Sequence, residues 1–477
     1  MPISDYEPVI GLEVHAQLLT RSKIFCPCST SFGGAPNTRV CPTCLGLPGA
    51  LPSLNRACVE MAVKAGKAFG CQIARRSVWA RKNYFYPDLP KGYQISQFDL
   101  PICVGGAVPV LQPDGTIRQV ALTRIHLEED AGKSVHGAAG SEVDLNRSGV
   151  PLIEIVGEPV LRSADDASEY LKSLRLALMS LGINDGNLEE GSFRCDANVS
   201  IRKRGQEKLG TRVELKNINS FRFVRQAIDF EIGRQAQALD AGGRINQETR
   251  LFDSEKNETR PMRSKEEAND YRYFPDPDLP PLALTDFFIE SIEIGKLPHQ
   301  RYGELVAAGV AAADARTIVS DHRLVELHAT ITLAAGKDSA RRAANLVTGE
   351  VSRLLNEKAI DLERPRFTPD QIAAVWKLQD AGTISSTAAK EVLAEVLATG
   401  KQPSDIVEQK GLSQVSDTGA LEAVVDAILR RSPGEVEKYK AGKKTLLGFF
   451  VGAAMKELKG KGNPGVLNDL FKKKLGD

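Results

Sequence analysis

The chain has 477 residues, enough for roughly two to four domains with a sizeable core. Its 42% hydrophobic and 26% charged residues are those of an ordinary globular protein, and a formal net charge of +1 excludes a polyanion-binding surface over the whole molecule, so any basic patch is local. The start, MPISDYEPVIG, lacks a basic stretch followed by an apolar one, and no run reaches the ~18 apolar residues a membrane span needs; the expectation is a cytoplasmic chain with no membrane contact.

Residues 7–19 are the first predicted strand. Within VIGLEVHAQL, Ile10, Leu12 and Val14 alternate with Glu13, His15 and Gln17. A Gly/Pro-rich loop follows with Cys26 and Cys28 as a C-x-C pair, then Cys41 and Cys44 as a C-x-x-C pair twelve residues on. Two close pairs around such a loop suit a closed, four-thiolate tetrahedral site with zinc as occupant. Free thiols, disulfides or an iron–sulfur cluster are the competing readings, and a reducing compartment argues against disulfides. The remaining cysteines (Cys58, Cys71, Cys103, Cys195) are scattered singly and read as small buried hydrophobes.

Residues 53–70 carry a helical period, with Ser53 or Asn55 as cap and Gly70 as stop. The next stretch, RKNYFYPDLPKGYQISQ, interleaves Tyr84, Phe85, Tyr86 and Tyr93 with Arg81, Lys82 and Lys91. It suits base stacking and phosphate contact about as well as it suits a packed irregular loop. VGG and PDG turns in 103–118 signal a hairpin. Residues 122–156 then hold the most informative pattern: Ile125 and Leu127 point one way, and Arg124, His126, Glu128 and Asp130 the other, with Glu154 between Ile153 and Ile155 farther on. The string AGKS lacks the upstream glycine of a phosphate-binding loop, since Leu127 stands five residues before Gly132, and no G-x-G-x-x-G follows a strand.

Residues 163–182 form a predicted helix capped by Ser163 with Asp165 and Asp166 in its first turn. Strands 191–202 and 210–216 follow: Phe193, Cys195, Ala197, Val199 and Ile201 alternate with Arg194, Asp196, Asn198 and Ser200, and Val213 and Leu215 alternate with Arg212, Glu214 and Lys216. A helix over 219–240 comes next, and the prolines at 275, 277, 280 and 281 read as a boundary loop. Five half-polar strands interspersed with helices predict an α+β fold whose antiparallel sheet carries carboxylates, two histidines and cations on a wet face. Any one such strand is ordinary; five with acid, histidine and amide on one side suit a divalent cation and phosphate.

Beyond about residue 295 helices take over, at 303–316, 322–334, 338–357, 369–380 and 385–397, with Thr368, Pro369 and Asp370 as a clear start signal. A last group spans 418–431, 434–441, 444–458 and 464–475. Lys438 to Asp477 hold ten lysines and three acids, net +7. The expected units are 1–294, 295–410 and a small basic module at 411–477, whose charge suits nucleic acid or simply a solvated helix face.

The strings IGLEVHAQL, CPTCLGLPGALP, KNYFYPDLPKGYQISQ, HLEEDAGKS, DLNRSGVPLIEIV, RCDANVSI, RVELKNINS and YRYFPDPDLPPL together closely resemble the B subunits of glutamyl/aspartyl-tRNA amidotransferases, from about residue 8 to the end. The resemblance implies a cradle domain, a helical domain and a tRNA-contacting tail. It implies an ATP-dependent carbon–nitrogen ligase with glutamine as amido donor. Such a protein binds Glu-tRNA(Gln) or Asp-tRNA(Asn), phosphorylates the attached side-chain carboxylate with ATP and Mg²⁺, and receives ammonia from a partner amidase, the A subunit, with a small C subunit completing a heterotrimer. By resemblance, Mg²⁺ falls to His15, Glu128 and Glu154, with Glu13 as further ligand or support. Arg194, Asp196, Glu214 and Lys216 are given phosphate-binding, ammonia-path or orienting roles. Cys26, Cys28, Cys41 and Cys44 are given a structural Zn²⁺, a site whose thiols some relatives lack. Lys438, Lys440, Lys443, Lys444, Lys456, Lys472, Lys473 and Lys474 are the expected tRNA contacts. The rival readings are a metal-dependent enzyme acting on a small molecule and a tRNA-binding scaffold without ATP chemistry.

Overall fold

In a computed structural model, residues 5–137, 140–262, 271–414, 418–458 and 462–476 are described, and the chain divides into two units, Met1–Arg301 and Tyr302–Asp477. The alternating segments become one ten-stranded sheet. Its main strands are β1 (Tyr6–Gln17), β4 (Ile117–Glu129), β5 (Pro151–Gly157), β6 (Phe193–Lys203), β7 (Val213–Lys216), β8 (Thr249–Asp253) and β9 (Glu258–Pro261). The order is β9-β8-β7-β6-β1-β5-β4, extended beyond β4 by Cys103–Val104 and Gln72–Ile73, with Ala107–Leu111 also paired to β4. Two short strands, β2 (Ala80–Asn83) and β3 (Tyr93–Ser96), pair separately with each other.

The long strands pair antiparallel, as the wet-face argument requires, but β7 and β8 run parallel. The chain between them crosses over as a helix, α3 (Phe221–Asp240), and such a crossover returns the next strand in the same direction. Ser220 caps α3 by accepting from the Phe223 amide, and Ser163 caps α2 (Ala164–Ser180) by accepting from that of Asp166. Asn55 does the same for α1 (Arg56–Ala68).

The apolar side of each strand packs under these helices. Ile10, Leu12, Val14, Ile125, Leu127, Ile153, Ile155, Ala197, Val199, Val213 and Leu215 share one core with Tyr170, Leu171, Leu174, Val224 and Ile228 of α2 and α3. The opposite face is less wet than the alternation implies. The β2–β3 pair lies over part of it, joined by Phe274–Pro275, which pairs with β2. The proline-rich stretch is therefore part of this cover, not a boundary: buried Asp276 receives a hydrogen bond of 2.8 Å from Arg81 Nε, and the same guanidinium lies 4.1 Å from the Tyr93 ring centre. Gly132 of the AGKS string is there for packing, since a Cβ would meet the Asp88 carbonyl at 2.9 Å and the Leu145 side chain at 2.8 Å.

The second unit is helical. The stretch expected as one helix over 303–316 is two, Pro298–Ala307 and Ala312–Val319, separated around Gly309, whose φ of +83° no helix continues. The expected 338–357 helix runs as Ala340–Leu346, a wide turn at Val347–Val351, and Ser352–Asn356. Thr368 and Gln371 form the capping box of Pro369–Asp380, and Pro403–Lys410 is a helix the period did not announce. Leu421, Val425, Phe450, Leu467 and Phe471 gather in a small core of their own. No helix among the described residues is long and apolar enough to cross a membrane.

Leu127 is fully buried on the core side of β4, between residues of the polar face. Leu127→Ala is expected to cost about 3 kcal/mol through lost burial and a residual cavity, measured as a lowered urea midpoint with an unchanged slope.

Candidate active site and metal centre

Strand register builds the acidic cluster. His15 on β1 sits opposite Glu154 on β5, and Glu154 opposite His126 on β4, so three neighbouring strands present one residue each at the same level of the polar face. Glu128, two residues on from His126, completes the group. His15 Nε2 lies 3.4 Å from Glu128 Oε1 and 3.7 Å from Glu154 Oε2. His126 Nε2 lies 3.1 Å from Glu154 Oε2 and 3.7 Å from Glu128 Oε2, and Ser96 Oγ of β3 is 3.4 Å from Glu128. Glu128, His126 and Glu154 are 3%, 3% and 9% exposed. Two carboxylates this deep need cations or donors around them.

The electrostatics follow from that burial. Desolvation disfavours an ionised Glu154, but His126, then His15 and Lys82, outweigh it and hold its carboxyl well below the usual range. Burial likewise opposes a cationic His126, while Glu154 and Glu128 push its pKa up to about 9. Arg124 Nε donates to His126 Nδ1 at 3.3 Å, which favours the neutral ring. In either form Nε2 carries the proton that faces Glu154. The Glu13 carboxyl is raised, first by burial and then by Glu154, and accepts from Asn198 at 2.9 Å.

Three donor atoms, one each from His15, Glu128 and Glu154, lie within 4.8 Å of one another. Ligands cis on an octahedral magnesium at 2.0–2.1 Å sit about 3 Å apart, so this trio fits a divalent cation after a small contraction. It leaves further positions for water or phosphate oxygens.

Beside the cluster, Arg194 stands opposite His15 in the β1–β6 register and bonds Asp130 at 3.0 Å. Gln17 donates to the same carboxylate at 2.9 Å, and Arg147 approaches it at 3.6 Å. Gln17, Arg147 and Arg194 also line a cleft of about 500 Å³ with Phe32 and Lys133. Farther along the face Lys216 binds Asp196 at 2.6 Å and Glu214 at 3.1 Å. Arg194 thus adjoins the acidic cluster, whereas Asp196, Glu214 and Lys216 form a separate ion-pair group next to Glu13.

His126 and Lys82 are site residues that sequence reasoning did not bring to the acidic cluster: from the sequence Lys82 reads only as part of a loop suited to stacking and phosphate contact. His126 stood on the polar face in the alternation, but its partner on β5 depends on register. Lys82 Nζ lies 4.8 Å from the Tyr271 ring centre and is held as a cation, against burial, chiefly by Glu128. Of the aromatic loop, Tyr84 packs beneath, while Phe85 (82%) and Tyr86 (64%) stay exposed.

The four cysteines also converge, with their sulfurs within 4.8 Å of one another. Cys26 and Cys44 are buried, Cys28 and Cys41 half-buried. The Cys41 amide donates to Cys44 Sγ at 3.1 Å, and Cys44 lies in the short helical turn Pro42–Leu45, which Gly46 ends in the left-handed conformation. Hydrogen bonding from Cys26 pushes the Cys44 thiol down to about 4, with further help from the Cys41 amide and Lys23 against burial. This closed four-sulfur cluster could hold a metal ion. All eight expected tRNA-contacting lysines are exposed; Lys444 Nζ lies 4.5 Å from the Tyr439 ring centre and Lys474 pairs with Asp426 at 2.8 Å. Lys459 and Lys461, which contribute to the tail's charge, lie outside the described residues.

Residues 8–290 match the GatB/GatE catalytic domain, and residues 329–475 match the GatB domain. The chain belongs to this family. A relative from Anaeromyxobacter sp. (strain Fw109-5), named as the B subunit of an aspartyl/glutamyl-tRNA(Asn/Gln) amidotransferase, is 60% identical over the full length of both chains. Relatives of the same name from Myxococcus xanthus (strain DK1622) and Syntrophotalea carbinolica are 55% and 54% identical, over 100% and 99% of both chains. The catalytic-domain match covers the ten-stranded sheet, the acidic cluster and the four cysteines; the second match covers most of the helical unit.

Arg194→Met leaves Asp130 buried with Gln17 and the more distant Arg147. With Arg194 itself partly solvated, the expected loss is about 2 kcal/mol, read from urea denaturation, and Asp130→Asn in the same background should recover most of it.

Proposed function

We propose that this chain is the tRNA-binding, carboxylate-activating subunit of an ATP-dependent, glutamine-using amidotransferase, converting Glu-tRNA(Gln) to Gln-tRNA(Gln), Asp-tRNA(Asn) to Asn-tRNA(Asn), or both. The observation that carries this reading is the trio of His15, Glu128 and Glu154 on one sheet face, inside the stretch that matches the family's catalytic domain. The relatives' names supply the substrate class. The chain works in the cytoplasm with a partner amidase, the A subunit, which releases ammonia from glutamine, and with a small C subunit.

A side-chain carboxylate is a poor acyl donor because oxide leaves badly. Phosphorylation supplies a leaving group: a carboxylate oxygen of the tRNA-bound residue attacks the γ-phosphorus of ATP in line, and ADP departs. Ammonia then attacks the acyl carbon, and phosphate leaves as the amide forms. Such transfer depends on positioning and charge neutralisation, and the nucleophile comes from the substrate, so no catalytic triad is needed. His15, Glu128 and Glu154, supported by Glu13, would hold magnesium, which neutralises phosphate charge when bound. His126 orients Glu154 through its Nε2–H. Arg194, fixed by Asp130 at the edge of the cleft, is directed at substrate phosphate. Asp196, Glu214 and Lys216 order the neighbouring part of the face, toward which ammonia is delivered. The four cysteines hold zinc in a structural role. Residues 1–294 form the catalytic cradle, 295–410 a helical domain and 411–477 the tail, whose lysines 438, 440, 443, 444, 456, 472, 473 and 474 contact the tRNA backbone.

The deciding assay mixes the chain and its partner subunits with γ-labelled ATP, Mg²⁺ and Glu-tRNA, without glutamine or ammonia. Label release is expected to require Glu-tRNA and to fall by roughly a hundredfold in Glu128→Gln, whose folded state is checked separately. ATP consumption that ignores tRNA, or none at all, overturns the reading; the first leaves a small-molecule enzyme and the second a binding scaffold. Converting Lys443, Lys444, Lys472, Lys473 and Lys474 to Gln is expected to weaken tRNA binding at low salt. The slope of log affinity against log salt should flatten by roughly 0.7–0.9 for each phosphate that is no longer neutralised.

A further inference from the structure

Lys23 is 0% exposed, and its hydrogen bonds go to no carboxylate. Its ammonium instead donates to the Arg39 carbonyl at 2.8 Å, to the Leu145 carbonyl at 3.5 Å and to Cys44 Sγ at 3.6 Å. A buried cation whose direct partners are two neutral carbonyls and one sulfur is costly unless negative charge lies close by, and the nearby Glu129 carboxylate is already paired with Lys91. Four thiolates around a divalent ion would carry a net charge of −2 beside it.

The three acceptors belong to three different stretches: the loop between the cysteine pairs, the second cysteine pair, and the segment 143–149. That segment is bound to the cysteine loop at several further points. Asn37 donates to the Val143 carbonyl and accepts from the Leu145 amide, Asn146 accepts from the Arg39 amide, and Ser148 Oγ donates to the Cys44 carbonyl. The Ile24 amide donates to the Gly149 carbonyl. Gly149 lets the Lys23 stem lie close: a Cβ there would stand 3.5 Å from Lys23 Cδ, 3.6 Å from Cys44 Cβ and 3.8 Å from Glu129 Oε2. Segment 143–149 leads into β5, which carries Glu154, and its Arg147 bonds the Ala131 and Gly132 carbonyls beside Asp130.

We propose that Lys23 is a positioning residue that couples the four-cysteine metal site to segment 143–149, and through it to the strand bearing Glu154. The proposal rests on the reading that the four thiolates hold a metal. Metal thiolates hold the ammonium, and the ammonium holds the Leu145 and Arg39 carbonyls together. Removing either the metal or the ammonium frees the same segment.

The test is amide hydrogen exchange on the chain assembled with its partner subunits, with bound metal counted by elemental analysis. In the native sequence, stripping the metal with a chelator is expected to speed exchange over 143–149 by about tenfold, the effect of losing a charge-assisted hydrogen bond. Residues 196–201 in the middle of β6 should not change. Lys23→Met, with its metal still bound, should exchange over 143–149 like the stripped native complex; Lys23→Gln serves if Lys23→Met does not fold. A metal-loaded variant that exchanges there at the native rate overturns the coupling, as does stripping without effect, and both leave the metal reading standing. A complex that purifies with no metal and takes up none overturns the metal reading itself.

Discussion

Buried charge on one face of a sheet is the constraint around which the first unit is built. Glu128, Glu154, His126 and Asp130 are each nearly closed off from water, and every one lies on a strand or at its end. A carboxylate in such a place stays ionised only if cations or donors reach it. Each has its set: His126 and His15 for Glu154, Ser96 and His15 for Glu128, and Arg194, Arg147 and Gln17 for Asp130. The apolar side does the opposite work. Ile125, Leu127, Ile153 and Ile155 are locked in the core that the helices share, so the strands cannot slip by one residue without burying the whole acidic set in the core. The core fixes the register, and the register brings His15, Glu154 and His126 to one level.

The cover over this face is made with the same economy. Glu129 follows Glu128 and faces the other way from it along the strand, yet it is buried too, because the strand ends there. Its carboxylate meets Lys91, just before β3, and the Ile95 amide, and its carbonyl meets Gln94, both on β3. Thus one dipeptide serves two purposes: Glu128 contributes to the candidate cation site, and Glu129 fastens the strand pair that shields it. Lys82 adds positive charge from the same cover and stands among Tyr84 and Tyr271, whose rings keep it from solvent. Excluding water in this way strengthens every charge interaction inside the site.

Much of this was legible in the sequence, because period-2 alternation is a local signal and burial answers to it. Ile10, Leu12, Val14, Ile125, Leu127, Cys195, Ala197 and Val199 are all buried on the side that the alternation gives them. Capping residues are also local, so Ser163 and Thr368 mark helix starts correctly. Other features were not legible, and each depends on a contact distant in the chain. His126 finds Glu154 across 28 positions and only through the β4–β5 register. The parallel β7–β8 pair depends on where α3 sends the chain back. The proline-rich stretch near 275 looked like a boundary because proline ends regular structure; its role as cover needs Arg81, nearly two hundred residues earlier.

Lys23 is the sharpest case of that distinction. Composition and position give a lysine in a short loop a solvent-facing role, since lysine is almost never fully buried without a partner. Nothing within several residues of it suggests otherwise. Its burial follows from three separate stretches folding around a single ammonium, one of them 122 residues away. The four cysteines can be read from spacing because their pairs are close in sequence. The lysine that bonds Cys44 cannot, because such a contact constrains distance in space and not along the chain. A four-cysteine cluster described only by its spacing therefore omits the part that connects it to the rest of the fold, and here that part joins the cysteine loop to the segment that leads into the strand carrying Glu154.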